Sequence, residues 1–267
     1  MRALLAIASV LPLVAHGPLA EQIATAGVEI GKDPGNARLY VKRGELYRLQ
    51  REFPMAQADF DRAARIDPLA AEVDLARGRM WLDAGNPEKA RTALDRFLAR
   101  RPGDGAGRAA RGEARARLDD ARGAAIDYDA AVATPGFAQV ELYLARARAW
   151  AAAGDSPRAL AGLDEAIARL GSLVTLEDAA IELERKLGRW DSALARVDRV
   201  AEPLERKETW LARRGDILRQ AGRTEEAQAS YVLALRAIES LPVRLRRMPA
   251  TQDLEARVRA ALSTPDA

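Results

Sequence analysis

Arginine and aspartate recur through this sequence at a fixed interval. Arg43, Arg77, Arg111, Arg146 and Arg214 stand in one register, with Ala180 breaking the series. Asp61, Asp95, Asp129, Asp164 and Asp198 stand in a second register. Guanidinium and carboxylate groups repeated in phase can pair with one another as charge-assisted bonds between structural units, or they can form a charged stripe that holds a ligand. A position duplicated in every unit serves the unit and the interface with its neighbour, so an Arg–Asp ladder is the preferred reading and the binding stripe the alternative.

Other chemistry has little to work with. Cysteine is absent and His16 is the only histidine. That leaves no disulfide framework, no thiol nucleophile, and neither the usual zinc ligands nor a Ser-His-Asp triad once the first residues are set aside. Carboxylates are plentiful, with 39 Asp and Glu. Carboxylate catalysis needs two acids in one cleft with separated pKa values, and no stretch argues for such a cleft. No enzyme, cofactor or metal is expected. The 42 Lys and Arg leave a net charge of only +3. The two signs are interspersed rather than gathered on a basic face, which speaks against nucleic acid as a partner.

The elements that position these groups are helices. Ala and Arg dominate and both favour helix, while the alternation of β-branched residues that marks strands is missing. The chain also repeats itself every 34 residues. Tyr40, Gly44, Tyr47, Ala56, Phe60, Ala63 and Pro68 are followed in phase by Gly78, Trp81, Ala90, Leu94, Phe97 and Pro102, then by Gly112, Ala124, Tyr128 and Ala131. Tyr143, Ala147, Trp150, Ala159, Leu163 and Ala166 continue the series one residue late. A weaker unit has Ala193, Val197 and Val200, and a sixth has Leu211, Gly215, Leu218, Ala227, Tyr231 and Ala234.

This pattern resembles the tetratricopeptide repeat family over residues 37–240. The resemblance implies an all-α fold, a right-handed α-solenoid of stacked antiparallel helix pairs. It departs from the family pattern mainly in the fifth unit, where Ile181 and Glu184 replace a small and an aromatic residue and irregular packing is expected. Gly85, Gly154, Gly188 and Gly222 share a phase suited to a left-handed residue ending each first helix. Pro54, Pro87 and Pro157 then suit the first turn of the second helix, with Asn86 and Ser156 as N-caps and Thr224 at an equivalent start. Gly44, Gly78, Gly112 and Gly215 fall in the middle of first helices, where each weakens the helix by about 0.5–1 kcal/mol relative to Ala. The physical reason to keep them is close approach of the second helix.

Residues 1–17, "MRALLAIASVLPLVAHG", combine one basic residue with a short apolar run and small residues beyond it. The run is too short to span a bilayer and fits a secretory signal peptide, so a periplasmic or secreted location is expected, with no stable membrane span after cleavage. Residues 18–36 read as an N-terminal capping helix or half-repeat. Residues 241–267 read as a basic linker, "LPVRLRRMP", and a C-terminal capping helix with Thr251 as N-cap and a stripe of Leu254, Val258, Ala261 and Leu262.

The resemblance implies that the first helices line a concave groove for a peptide or helix of another protein. Its expected lining is Glu45, Arg48, Leu75, Arg79, Leu82, Glu113, Leu144, Arg148, Glu182, Arg185, Asp216 and Arg219. The Lys and Asn set with which chaperone-binding members hold a C-terminal carboxylate is not present, and Arg48, Arg79 and Arg148 remain as candidate anion contacts. The groove charges either meet a ligand or pair along the groove; both readings stand. The expected function is a non-enzymatic interaction scaffold in the bacterial envelope. The alternative is an accessory subunit of cell-wall or exopolysaccharide assembly or secretion machinery, for which exposed aromatics would be the sign; Trp190 and Trp210 are the aromatics whose phase leaves this open. Arg214-Gly215-Asp216 has the letters of an adhesion tripeptide, but its phase places it mid-helix with the glycine buried and only Asp216 toward the groove.

Overall fold

In the computed structural model residues 18–137 and 139–263 are described, and every regular element among them is a helix. The apolar segment 1–17, and with it the expected signal peptide, lies outside the described residues. The chain divides into two compact units, one closing at Leu118 and the other opening at Asp119. The first unit holds α1 (Pro18–Lys32), α2 (Ala37–Leu49), α3 (Phe53–Ile66), α4 (Ala71–Asp83), α5 (Pro87–Arg100) and α6 (Gly105–Arg117). The second holds α7 (Ala121–Val132), α8 (Val140–Ala152), α9 (Ser156–Leu170), α10 (Val174–Lys186), α11 (Trp190–Ala201), α12 (Glu208–Gln220), α13 (Thr224–Ser240), α14 (Val243–Arg246) and α15 (Pro249–Ser263). Consecutive helices pack as antiparallel pairs, the all-α solenoid architecture that the repeats imply.

The turns within pairs follow from their glycines. Gly85, Gly154, Gly188 and Gly222 all have positive φ, between 68° and 84°. The chain then turns back on the helix it has left: Asn86 N donates to Trp81 O at 2.8 Å, and Asp155, Arg189 and Arg223 bond in the same way to Trp150, Glu184 and Leu218. This pairing satisfies carbonyls that the helix end would otherwise leave open. Pro54, Pro87 and Pro157 fall in the first turns of α3, α5 and α9 as expected. Asn86 caps α5 by accepting from Lys89 N at 3.0 Å. The other expected caps are corrected. Asp155, not Ser156, caps α9 through Arg158 N, because its carboxylate sits one residue earlier, outside the helix, where a side chain can reach back to an open N–H. Thr224 opens α13 but does not cap it; its N-cap residue is Arg223, with no side-chain bond. Thr251 lies inside α15 and is buried.

The mid-helix glycines mark contact. A Cβ on Gly44 would lie 2.5 Å from the Phe60 ring, on Gly78 2.5 Å from Leu94, and on Gly215 2.5 Å from the Tyr231 ring. In each case the opposing side chain is sixteen residues on and 2% exposed or less. The fifth unit reverses the arrangement. Ile181 occupies the small position, fully buried, and faces the slighter Val197 in the same core cluster. Volume removed from one helix is returned on the other, so the small-against-large packing of the other pairs is exchanged here rather than lost.

The Arg–Asp ladder forms, with three changes. Arg77 reaches back to Asp61 at 2.6 Å, Arg111 to Asp95 at 2.9 Å and Arg214 to Asp198 at 3.1 Å, each tying a first helix to the preceding second helix. Arg43 has no aspartate sixteen residues before it, where Gly27 stands, and makes a bidentate bond with Asp59 of α3 instead. Arg146 approaches Asp129 only at 3.9 Å and is held mainly by Glu165 and by the carbonyl of Gly162. At the break, Ala180, the missing guanidinium is supplied by Arg196 of α11. It bonds Asp164 and also Glu184 at 2.8 Å and Glu177 at 3.0 Å. Glu177 is fully buried and Glu184 is 3% exposed, so one arginine bridges two buried carboxylates, with Arg199 a second cation 3.6 Å from Glu177. Burial works against the charge of Arg196, but its bonds with Glu184, Asp164 and Glu177 outweigh this and hold its pKa above the usual arginine value.

At the end of the second unit α15 packs against the last repeat. Val258 is 1% exposed, and Leu254, Ala261 and Leu262 join it on the core formed by α10 to α13.

Candidate functional site

The candidate surface is the face built by the first helices of successive pairs. Polar bonds cross this face between neighbours about one repeat apart. In the first unit Arg48 of α2 pairs with Asp83 of α4, and Arg117 of α6 donates to the carbonyl of Leu82 at 2.6 Å. In the second unit Arg213 of α12 pairs with Asp178 and Glu182 of α10, and Arg185 of α10 donates to Gln220 at 2.9 Å. Arg257 of α15 closes the series on Asp216 at 2.6 Å.

One seam differs. No hydrogen bond or ion pair links α8 to α10 among the described residues, and a cleft of about 470 Å³ lies between them. Leu144, Ala147, Arg148 and Ala151 form the α8 wall; Asp178, Glu182 and Lys186 stand on the α10 wall, one turn apart; Leu163 of α9 is the floor. Small side chains on α8 open the cleft, because nothing at Ala147 or Ala151 is long enough to bridge the seam. Arg148 and Lys186 are exposed and form no ion pair or hydrogen bond among the described residues. The acids opposite are already bonded: Asp178 to Arg213, and Glu182 to Arg185 at 2.6 Å and to Arg213 at 3.2 Å.

The twelve expected groove residues therefore separate. Leu144, Arg148 and Glu182 come together in the cleft. Leu82 is corrected: it is 4% exposed, because Ala90 and Leu94 of α5 and Ala110 and Ala114 of α6 pack around it. Leu75 is half-buried against the cores of the first unit. Arg48 is held by Glu45 at 2.8 Å and by Asp83. Burial works against its charge, but these bonds hold its pKa above the usual value. Glu113 pairs with Arg117 one turn on. Arg185 pairs with Glu182 and Gln220. Asp216 accepts from the Tyr231 hydroxyl at 2.8 Å and from Arg257, with Arg219 at 3.8 Å. Burial, followed by the bond to Asp216, pushes the Tyr231 phenol up, so it stays a neutral donor. Arg79, in the first unit, has no such partner among the described residues. Most groove charges thus pair along the face, and Arg79 and Arg148 are the expected residues left over.

Arg214-Gly215-Asp216 lies in the middle of α12 with Gly215 buried. Trp190 and Trp210 are half-buried against the core of the second unit. Sequence reading missed Lys186 as a lining residue. Its signal was present: Asp178, Glu182 and Lys186 recur at helical spacing on one face.

A tetratricopeptide repeat model matches residues 211–240, the pair α12–α13. No curated protein matches the chain. Among solved structures, the chain is similar to a tetratricopeptide repeat protein from Parabacteroides merdae, with 17% identity and a TM-score of 0.54 over 90% of this chain and 92% of that one. It is similar to PilF of Pseudomonas aeruginosa, with 13% identity and a TM-score of 0.56 over 85% and 99% of the two chains. It is also similar to a chain of the Cut9–Hcn1 hetero-tetramer of the APC/C, with 12% identity and a TM-score of 0.53, where it covers 90% of itself but only 46% of that chain. Such identities speak to the fold. The matched repeat places tetratricopeptide-repeat sequence in the pair α12–α13, and the solved structures share the helix-pair fold over most of the chain.

Proposed function

We propose that this protein is a non-catalytic scaffold that holds a peptide or helix of a partner protein on the face of α8, α10 and α12, with the α8/α10 cleft as its centre. One observation carries the reading. Neighbouring first helices within each unit are tied by polar bonds across this face except at the α8/α10 seam, which among the described residues is left untied and open. An untied seam between rigid pairs gives a preformed, partly apolar surface with charged posts, which is what docking of an amphipathic segment requires. Among the described residues no helix is long and apolar enough to cross a membrane and no cluster of His, Cys, Asp or Glu could hold a metal ion. The composition of residues 1–17 supports export, so we place the scaffold in the bacterial envelope.

Site-specific photo-crosslinking tests this in cells. A photoreactive residue at position 148, in the cleft, is expected to trap a partner that the same residue at exposed Arg91 of α5 does not. Capture of the same protein at both positions, or at position 91 alone, sinks the assignment. Cell fractionation with the first residues intact in the cytoplasm refutes the envelope location.

A further inference from the structure

We propose that the α8/α10 cleft selects a partner segment carrying an acidic side chain beside aliphatic ones. This rests on the reading of the cleft as the binding surface and adds to it the chemistry of what binds. The argument is one of charge complementarity. Four formal charges line the cleft: Arg148 on the α8 wall, and Asp178, Glu182 and Lys186 on the α10 wall. Both acids are neutralised from outside the cleft, Asp178 by Arg213 of α12 and Glu182 by Arg185 and Arg213. Neither cation has a counter-charge among the described residues. The open charge of the cleft is therefore positive, and it stands on both walls.

The apolar lining sets the second half of the specificity. Leu144, Ala147 and Ala151 over Leu163 form an alanine-lined strip with no unpaired polar side chain of its own. Aliphatic side chains can fill it without leaving a buried donor or acceptor unmet. A basic segment would meet Arg148 and Lys186 with like charge and would find Asp178 and Glu182 already bonded. A neutral segment would fill the strip but leave both cations as they are in the free protein. An acidic group next to aliphatic ones answers both features. A side-chain carboxylate, rather than a chain terminus, is the source to which we commit, because a side chain can meet the cations while the segment runs on over the neighbouring strip.

Charge reversal at these two places is structurally mild, since both side chains are exposed and form no ion pair or hydrogen bond among the described residues. Exposed cations of this kind make weak contacts, so removing one is expected to weaken an acidic probe roughly 1.5- to fivefold, and reversing both by about tenfold or more. The attraction also fades as salt shortens its range.

The experiment is a selection of short random peptides, amidated at the C-terminus when resynthesised, against the full chain. Affinities are then measured by fluorescence anisotropy at low and raised salt. The expected peptides carry Glu or Asp flanked by Leu, Ile, Val or Met. They lose binding to the Arg148→Glu/Lys186→Glu variant, keep most of it with Arg148→Lys, and weaken with salt. A parallel variant, Ala151→Trp, fills the cleft without touching its charge, and circular dichroism confirms that both variants remain folded. Selected peptides that are neutral or basic, yet lost on filling the cleft, overturn the proposal while leaving the cleft as the binding surface. Peptides that bind the filled variant as well as the native chain overturn the cleft itself. Acidic peptides unaffected by charge reversal also overturn the proposal.

Discussion

Replacing Arg196 by Met keeps much of the side-chain volume and removes the charge on which two buried carboxylates depend. Glu177 and Glu184 are 0% and 3% exposed, and Arg196 bonds both, together with Asp164 of the preceding repeat. Arg199 approaches Glu177 at 3.6 Å but is half-exposed and cannot take over Glu184. Removing one member of a buried ion network typically destabilises by about 3–5 kcal/mol, because the remaining charges stay desolvated without a partner. That is a large fraction of the roughly 5–15 kcal/mol that holds a domain of ordinary stability. At about 2–4 °C per kcal/mol, Arg196→Met should lower the melting temperature by roughly 6–20 °C. Urea titration followed by far-UV circular dichroism measures the loss. A triple variant, Arg196→Met/Glu177→Met/Glu184→Leu, removes the carboxylates as well and should recover most of the stability, since apolar replacement of a whole buried network is often neutral or better. A loss below about 1 kcal/mol for the single variant, or a triple variant no better than the single, would refute the electrostatic reasoning and make Arg196 an ordinary packing residue.

Three further outcomes follow from the geometry. Gly215→Ala brings a Cβ to 2.5 Å from the Tyr231 ring and should destabilise by roughly 0.5–2 kcal/mol after its helix-propensity gain, while Gly31→Ala, with open space at the same atom, should stabilise; opposite shifts in thermal melts check the contact argument. Asp155→Ala should weaken the start of α9 by about 1 kcal/mol whereas Ser156→Ala should change little, and equal losses in denaturant titration would return the cap to Ser156. Burial works to raise the pKa of Glu165, but the bonds and charges of Arg146 and Arg169 outweigh it and hold the carboxyl below its usual range. A depressed folded-state value means stability that is present above the unfolded pKa, roughly 4, and lost as pH falls through the folded value. Glu165→Gln should therefore be less stable than the native chain near neutral pH, with the gap closing in acid; a gap that is independent of pH counts against the ion pair.

The sequence by itself determined the helix pairs, their 34-residue period, the left-handed glycines between paired helices and the close contacts at Gly44, Gly78 and Gly215. These are local or strictly periodic features. A glycine sixteen residues before a large side chain carries its meaning wherever the repeat occurs, because each pair must solve the same packing problem. The ladder was legible for the same reason, as an arginine and an aspartate in phase. Only tertiary structure decided the rest. Arg196 stands out of register, and it takes the place of the missing arginine at position 180 because α11 happens to bring its guanidinium beside Asp164, Glu177 and Glu184. Leu82 has the phase of a groove residue and the environment of a core one, since Ala90 and Leu94 of α5 and Ala110 and Ala114 of α6 pack around it. The site was least legible of all. Glu45, Arg79, Glu113 and Arg148 look alike in sequence, as alternating charges at one repeat position. The two acids are taken up by arginines three and four residues on along the same helix, Arg48 and Arg117, whereas only the packed helices show that Arg148 is left facing an open cleft with Lys186.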